Sequence, residues 1–460
     1  MKTRKGGDDT ICAISTPIGM GGIGVIRVSG AGALAVVDPL FKGKGSILTF
    51  QTHTAHHGAV FDPALQEVID EALFLVMRAP RSYTGEDVVE IQAHGNPISL
   101  QRILSLLIYQ GARLAEPGEF TRRAFLSGRI DLVQAEAVME MISAQSREGA
   151  LWALSQLKGG LSEKIEAMRE RLLNILAQLE GSIDFSEEGI ELCSSDQLSR
   201  RIEEVLKEMR GFLADYEKGK RIREGVSAII LGRPNVGKSS LMNLLLEENR
   251  AIVTPIPGTT RDLLQEWISL EGLSLKIVDT AGYRKTDDPI EIEGIRRAAE
   301  ALKNADLALC LLDASAPLEP EDQELLEKTR SFEKIIVLNK SDLPRRIDLG
   351  PILERGGDRV IEISALTGEG VQELKETLKR LFSVRPETER PLIALLRHRN
   401  ALERSEKALD SALTSLLKGL SPEFPAVDLR EAVDSLGEIV GETTTDEILD
   451  QIFNRFCIGK

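Results

Sequence analysis

Eight consecutive residues, Gly232-Arg233-Pro234-Asn235-Val236-Gly237-Lys238-Ser239, follow the spacing GxxxxGK[ST], which suits the holding of a phosphate chain. Phosphates are polyanions. A loop whose glycines turn successive backbone N–H groups inward, with a helix N-terminus behind it, stabilises that charge without specially shaped side chains. Asn235, Val236, Gly237 and Ser240 would line the loop, and Lys238 would reach the β- and γ-phosphates. Ser239 offers a hydroxyl to Mg²⁺, a hard cation that takes oxygen ligands. Further along, Asp279-Thr280-Ala281-Gly282 supplies a carboxylate that can hold magnesium through water and an N–H for the γ-phosphate. Asn339-Lys340-Ser341-Asp342 places a carboxylate where it can accept from N1–H and the exocyclic amine of guanine, a donor pair that adenine lacks. Ser364-Ala365-Leu366 would add a backbone donor to the guanine oxygen. The expected ligand is therefore GTP and not ATP.

Each of these motifs needs a strand end to hold it. Ser227–Leu231, Leu273–Val278, Leu307–Leu312 and Lys334–Leu338 are continuous apolar runs separated by helical patterns, the signature of buried parallel strands, and Val360–Ile363 reads as a further short strand. Four motifs in this order, each at a strand end, resemble the TRAFAC-type GTPases. Upstream, Thr10–Ser15, Ile23–Val28, Glu71–Met77 and Val88–Ala93 look extended and Pro97–Tyr109 helical, an α+β pattern. From Ala150 the apolar residues Leu151, Leu154, Leu157, Leu161, Ile165, Met168, Leu172, Leu176 and Leu179 recur at the spacing of one helix face. A second stripe runs from Asp196 to Tyr216, and helical periodicity returns after Pro386. The expected fold is multidomain: an α+β N-terminal domain (1–120), an all-α helical domain in two parts (121–220 and 386–460), and an inserted α/β P-loop GTPase domain (221–385) with a Ras-like, mostly parallel sheet.

Between the phosphate loop and Asp279 lies Thr254-Pro255-Ile256-Pro257-Gly258-Thr259-Thr260-Arg261-Asp262, a loop rich in hydroxyls that suits a mobile switch. Thr260 is the candidate for the second hydroxyl on Mg²⁺. Tyr283 follows Gly282 where Ras-like enzymes carry a water-orienting Gln, so another group must position the nucleophile. Asp287, Asp288, Glu291 and Glu293 offer carboxylates for this, although such a run also suits a solvated face.

Bulk properties narrow the setting. With 460 residues, 42% apolar and 28% charged, the chain can bury several cores. A net charge of -15 opposes non-specific adhesion to nucleic acid or anionic membrane, so any RNA contact must use a local basic patch. Cys12, Cys193, Cys310 and Cys457 form no CxxC pair, which argues against disulfides and zinc and for a reducing, cytoplasmic setting. The first residues do not read as a signal peptide, and no run approaches a membrane span. Gly19 to Gly24 precede a strand and not a helix, which removes the dinucleotide reading. His53, His56 and His57 are read as surface residues and Asp184 to Glu191 as a solvated loop. Cys457 is read either as a reactive thiol or as a small packed apolar residue.

GRPNVGKSS, TPIPGTTRD, DTAG, NKSD and the final Phe456-Cys457-Ile458-Gly459-Lys460 resemble the MnmE (TrmE) tRNA modification GTPases over essentially the whole chain. The likeness includes Gly21 to Arg27, Tyr83-Thr84-Gly85-Glu86-Asp87, Pro117 to Thr121 and Arg123-Ala124-Phe125. It implies a homodimer formed through N-terminal domains that bind a tetrahydrofolate derivative, of 5-formyl or methylene type, at Arg27, Glu90, Arg129 and Lys460. Arg129 stands where some members have lysine. It further implies GTPase domains that dimerise across their nucleotides, with K⁺ held by Asn235, Thr254, Ile256 and Thr259 in place of an arginine finger. By the same resemblance Glu291 orients the attacking water. A flavin-dependent partner, MnmG (GidA), would join in a heterotetramer or larger complex that attaches an aminomethyl or carboxymethylaminomethyl group to carbon 5 of the wobble uridine of certain tRNAs. Two other classes compete: a ribosome-assembly or translation-associated GTPase without modification activity, and a nucleotide-gated scaffold whose partner does all the chemistry. The flanks carry no basic GxxG loop, which gives the ribosomal reading little support. Glu291→Ala should slow hydrolysis while leaving GTP affinity nearly intact, checked by single-turnover rates beside nucleotide titration; equal loss of binding would contradict the water-orienting role.

Overall fold

The computed structural model describes residues 9–184, 194–249, 265–270, 273–279, 305–348, 350, 359–382 and 392–460. They fall into two compact units, one of Met1–Met139, Gln156–Val205 and Arg404–Lys460, the other of Glu140–Ser155 and Leu206–Glu403. Both contain helical residues from either side of the inserted α/β segment.

In the first unit, strands β1 (Ile11–Ile14), β2 (Gly21–Ser29), β3 (Phe41–Gly43), β4 (Thr54–Asp62), β5 (Glu67–Met77), β6 (Val88–Gly95) and β7 (Arg113–Leu114) form one sheet in the order β3-β4-β5-β6-β2-β1-β7. Every pairing is antiparallel except β1 with β7. Side chains alternate between faces along a strand, so Ala72, Phe74 and Val76 of β5 and Ile91 and Ala93 of β6 bury one face. The helix Pro97–Tyr109 covers it with Leu100, Ile103, Leu104 and Leu107. That helix begins where it does because Asn96 accepts from the Ile98 N–H and Pro97 has no N–H to leave unpaired. Gly24 lets β2 pass beneath it, since a Cβ there would stand 2.4 Å from Leu100 Cδ1. Arg27 and Glu90 project from the opposite face, brought side by side by the β2–β6 register.

The helices Gly160–Asp184 and Glu423–Val440 bury Ile165, Met168, Leu172 and Leu176 on one and Leu429, Val433 and Leu436 on the other. The continuous stripe expected from Leu151 to Leu179 is broken. A helix Arg147–Leu157 stops at Gly159, whose left-handed φ of 86° and N–H bond to the Gln156 carbonyl end it, and a new helix starts at Gly160. Leu151 and Leu154, upstream of the break, are exposed. Apolar spacing carried the period across a glycine that takes a conformation other residues avoid.

The second unit holds β8 (Val226–Leu231), β9 (Gln265–Leu270), β10 (Leu273–Asp279), β11 (Leu307–Asp313), β12 (Lys334–Asn339) and β13 (Arg359–Glu362), ordered β13-β12-β11-β8-β10-β9. All are parallel but the β9–β10 pair, so the mostly parallel sheet carries an antiparallel edge. Alternate residues of the same strands feed two cores. Ile230, Leu309, Leu311, Ile335 and Val337 meet the helices Lys238–Asn249 and Val371–Phe382, while Ile229, Cys310, Leu312, Ile336 and Leu338 meet Leu326 of the helix Pro320–Lys328. Burial on both faces is why these strands read as unbroken apolar runs, each buried side chain contributing about 1.5–3 kcal/mol. The α+β sheet, the helical region and this doubly wound sheet realise the fold class expected from the sequence.

Within the second unit Trp152 packs with Met141, Ile222 and Ala394 and donates its Nε1–H to the Leu392 carbonyl at 2.8 Å. Trp152→Phe keeps most of the ring and removes that hydrogen bond, so stability should fall by about 0.5–1.5 kcal/mol in denaturant titration; an unchanged midpoint would refute the bond's contribution.

Candidate functional site

β8 lies between β10 and β11, so the connections leave it toward opposite sides and its carboxyl end opens into the crevice where such sheets bind ligands. The phosphate loop starts there and runs into the helix Lys238–Asn249. Asn235 and Gly237 have left-handed φ values of 65° and 100°. At Gly237 no other residue fits, because a Cβ would stand 2.2 Å from Asn339 Nδ2. Lys238 Nζ donates to the Gly232 and Arg233 carbonyls at 2.7 and 2.9 Å, which closes the loop into a ring with the ammonium at its mouth. Ser239 and Ser240 are exposed in the first turn, where free N–H groups and the helix dipole favour an anion.

Asn339 joins this loop to the segments that would face a base. Its buried amide donates to the Val236 carbonyl at 2.7 Å and accepts from the Ala365 N–H at 2.9 Å. Lys340, at φ 67°, places Nζ 2.6 Å from Asp313 Oδ2. Burial pushes the Asp313 carboxyl upward, but hydrogen bonds from Lys340 and Ser315 prevail and hold it below the usual range. Ser364 donates to Asp342 at 2.6 Å, and Leu366 stands exposed beside them. Asn235, Val236, Gly237, Lys238, Ser239, Asn339, Lys340, Asp342, Ser364 and Ala365 thus converge on one rim of the sheet. Asp279 ends β10 in register with Ile230. Thr254, Ile256, Thr259, Thr260, Thr280, Ala281, Gly282 and Glu291 lie outside the described residues.

Two participants were missed in the sequence. Arg233 pairs with Glu319 at 2.6 Å and with buried Asp322 at 3.2 Å, anchoring the outer side of the loop to the helix Pro320–Lys328. Asp313 ends β11 as Asp279 ends β10, a parallel that could have marked it.

A second constellation lies in the first unit. Arg27 bonds Glu90 through Nε and Nη2 at 2.9 and 2.8 Å, and its guanidinium sits 5.3 Å from the Tyr83 ring centre and 5.6 Å from that of Phe120. Residues 457–460 reach this place by backbone contacts. Ser15 Oγ donates to the Gly459 carbonyl at 3.0 Å and the Phe120 N–H to the Lys460 carbonyl at 3.2 Å. Gly459, at φ 96°, could carry no Cβ without meeting the Ile14 carbonyl at 2.4 Å. Lys460 is pulled below its ordinary pKa first by burial and then by the charge of Arg27, with Glu90 and Cys457 pulling the other way. Cys457 is exposed, in contrast to buried Cys12 and Cys310. Arg27, Glu90 and Lys460 are therefore together; Arg129 lines a neighbouring cavity that shares Tyr83.

The doubly wound sheet with this loop at its switch point defines a P-loop protein of the GTPase class. A family model described as the MnmE helical domain matches residues 132–457, and one described as the GTP-binding protein TrmE N-terminus matches residues 10–129. The chain is 46% identical over 455 residues to the tRNA modification GTPase MnmE of Syntrophus aciditrophicus (strain SB), covering 98% of this chain and 99% of that one. The protein of the same description from Geotalea uraniireducens (strain Rf4) is 44% identical over 455 residues, with 98% and 99% covered. That of Heliobacterium modesticaldum (strain ATCC 51547 / Ice1) is 46% identical over 464 residues, again with 98% and 99% covered. The chain belongs to the MnmE family. Among the described residues no helix is long and apolar enough to cross a membrane.

Asn339→Ala would strand the Val236 carbonyl and the Ala365 N–H together. The expected outcome is a loss of about 2–4 kcal/mol in the stability of this unit and at least a roughly tenfold drop in GTP affinity, read by denaturation and fluorescent-nucleotide titration. Unchanged affinity would show that the two segments hold their places without the amide.

Proposed function

We propose that this protein binds and hydrolyses GTP to drive the modification of the wobble uridine of certain tRNAs, acting in the cytoplasm as a homodimer with a flavin-dependent MnmG-type partner. The observation that carries the reading is the Asn339 amide, which makes the phosphate loop and the base-facing segment one piece, in a chain that matches curated tRNA modification GTPases over 98% of its length. The loop N–H groups and Lys238 would bind the phosphates, Asp342 the guanine edge, and the Ala365 region the guanine oxygen.

Ser239 and Thr260 would hold Mg²⁺, and Asn235 with Thr254, Ile256 and Thr259 would hold K⁺, an all-oxygen donor set of the kind hard cations take. When bound, the two ions would neutralise charge gathering on the phosphates as the terminal bond breaks. Glu291 would orient the attacking water. In the first unit the Arg27–Glu90 pair fits a tetrahydrofolate, because a carboxylate flanked by cations can face the amino-pyrimidinone edge of a pterin. Lys460 and Arg129 would add positive charge for the rest of that anionic molecule. Cys457 is exposed and its carbonyl accepts from the Lys460 N–H at 3.3 Å, which supports a role near the one-carbon unit.

Nucleoside analysis of tRNA tests the whole reading. Cells lacking the protein should lose the aminomethyl and carboxymethylaminomethyl forms of wobble uridine, and a Lys238→Ala copy should fail to restore them. An unchanged nucleoside profile would overturn the assignment.

A further inference from the structure

Beside the Arg27–Glu90–Lys460 constellation the first unit contains a cavity of about 790 Å³. Met77, Pro80 and Tyr83 give it apolar walls, Ser127 a hydroxyl, and Arg81 and Arg129 two guanidinium groups. No Asp or Glu lines it, although the chain as a whole carries a net charge of -15. Several other arginines of the same unit are matched by carboxylates, Arg27 with Glu90, Arg102 with Glu67, Arg113 with Glu119, Arg122 with Asp450 and Arg123 with Glu86, and Arg78 bonds the Leu48 and Phe50 carbonyls. Among the described residues Arg81 and Arg129 have no such carboxylate. Two unmatched forks at one apolar cavity make a place for carboxylates carried on a partly aromatic body, because a guanidinium presents paired N–H donors that suit a carboxylate.

Tyr83 links the cavity to the constellation. Its ring lines the one and lies under the Arg27 guanidinium of the other, and its hydroxyl, 2.9 Å from Thr121 Oγ1, fixes the ring in place. A ligand held at Glu90 by one end could pass Tyr83 and enter the cavity with the other.

We propose that the cavity receives the γ-linked glutamate tail of the folate, and that Arg81 is the residue that favours polyglutamylated over monoglutamylated forms. The proposal rests on the folate reading given above. Tyr83, Met77 and Pro80 take the aminobenzoyl ring; Arg129 takes the first glutamate and Arg81 those that follow. The chain thereby selects the polyanionic form of its cofactor by charge placed away from the pterin.

Full-length protein titrated with monoglutamyl and pentaglutamyl 5-formyltetrahydrofolate, at about 50 mM and about 500 mM salt, tests this. The wild type should bind the pentaglutamyl form roughly tenfold more tightly at low salt, with the preference shrinking at high salt, as for partly exposed ion pairs. Arg81→Ala should remove the preference and leave monoglutamyl affinity unchanged, whereas Arg81→Lys should keep part of it. Equal binding of both forms by the wild type, or full preference in Arg81→Ala, overturns the tail site alone. Binding of neither form by the wild type sinks the folate reading and the tail site together. Glu90→Ala should weaken both forms equally, which separates the pterin end from the tail.

Discussion

The nucleotide site depends on one buried side-chain amide. Asn339 ends β12, next to the edge strand β13, and uses both of its polar ends, one on the phosphate loop and one on the segment after β13. The amide is in van der Waals conflict with any side chain at position 237, so a donor-acceptor pair and a glycine define each other's place. A buried amide with both ends satisfied stabilises modestly; with either partner missing it becomes a liability, and this asymmetry fixes the geometry. Around it, Arg233 ties the outer edge of the loop to a helix and Lys340 is tied to Asp313, so polar contacts fix the rim that the apolar strands only approximately place.

The sheet beneath supplies the rigidity that lets such contacts be made. Strands that bury alternate residues in two separate cores cannot slide by one position without exchanging those cores. The first unit solves a different problem. Its sheet is covered on one face by the helix Pro97–Tyr109, and the other face is left to carry Arg27, Glu90 and their neighbours. Burying a guanidinium there is tolerable because a carboxylate and two aromatic faces replace its water.

Much of this was legible in the residues, for reasons that differ from place to place. The phosphate loop and the Asn339–Asp342 stretch could be read because backbone conformation and base chemistry each demand particular residue types at fixed spacing. The two-faced strands could be read because burial on both sides leaves little room for polar residues. β4 was not read, since Ala55, His56, His57 and Gly58 lack the apolar alternation of a half-buried strand, and β9 was hidden in a short edge run. The helix break at Gly159 was lost inside an apolar stripe. Arg233 occupies a position that its motif leaves free, Asp313 stands at the end of an apolar strand outside every motif, and the meeting of Arg27 with Glu90 depends on strand register across 63 residues, which no local pattern records. Arg27 and Glu90 were reached only through the family resemblance.

The contact between Ser15 and Gly459 spans 444 positions. The seven-stranded sheet pairs within residues 11–114, but during synthesis the contacts of the last residues with it must wait while the entire α/β segment is made and is free to fold around contacts of its own. Closing so long a loop adds only slowly growing entropy but much delay. The phosphate loop and its sheet can thus form on the nascent chain before the terminal residues join Arg27 and Glu90, so the order of translation itself keeps the two from maturing together.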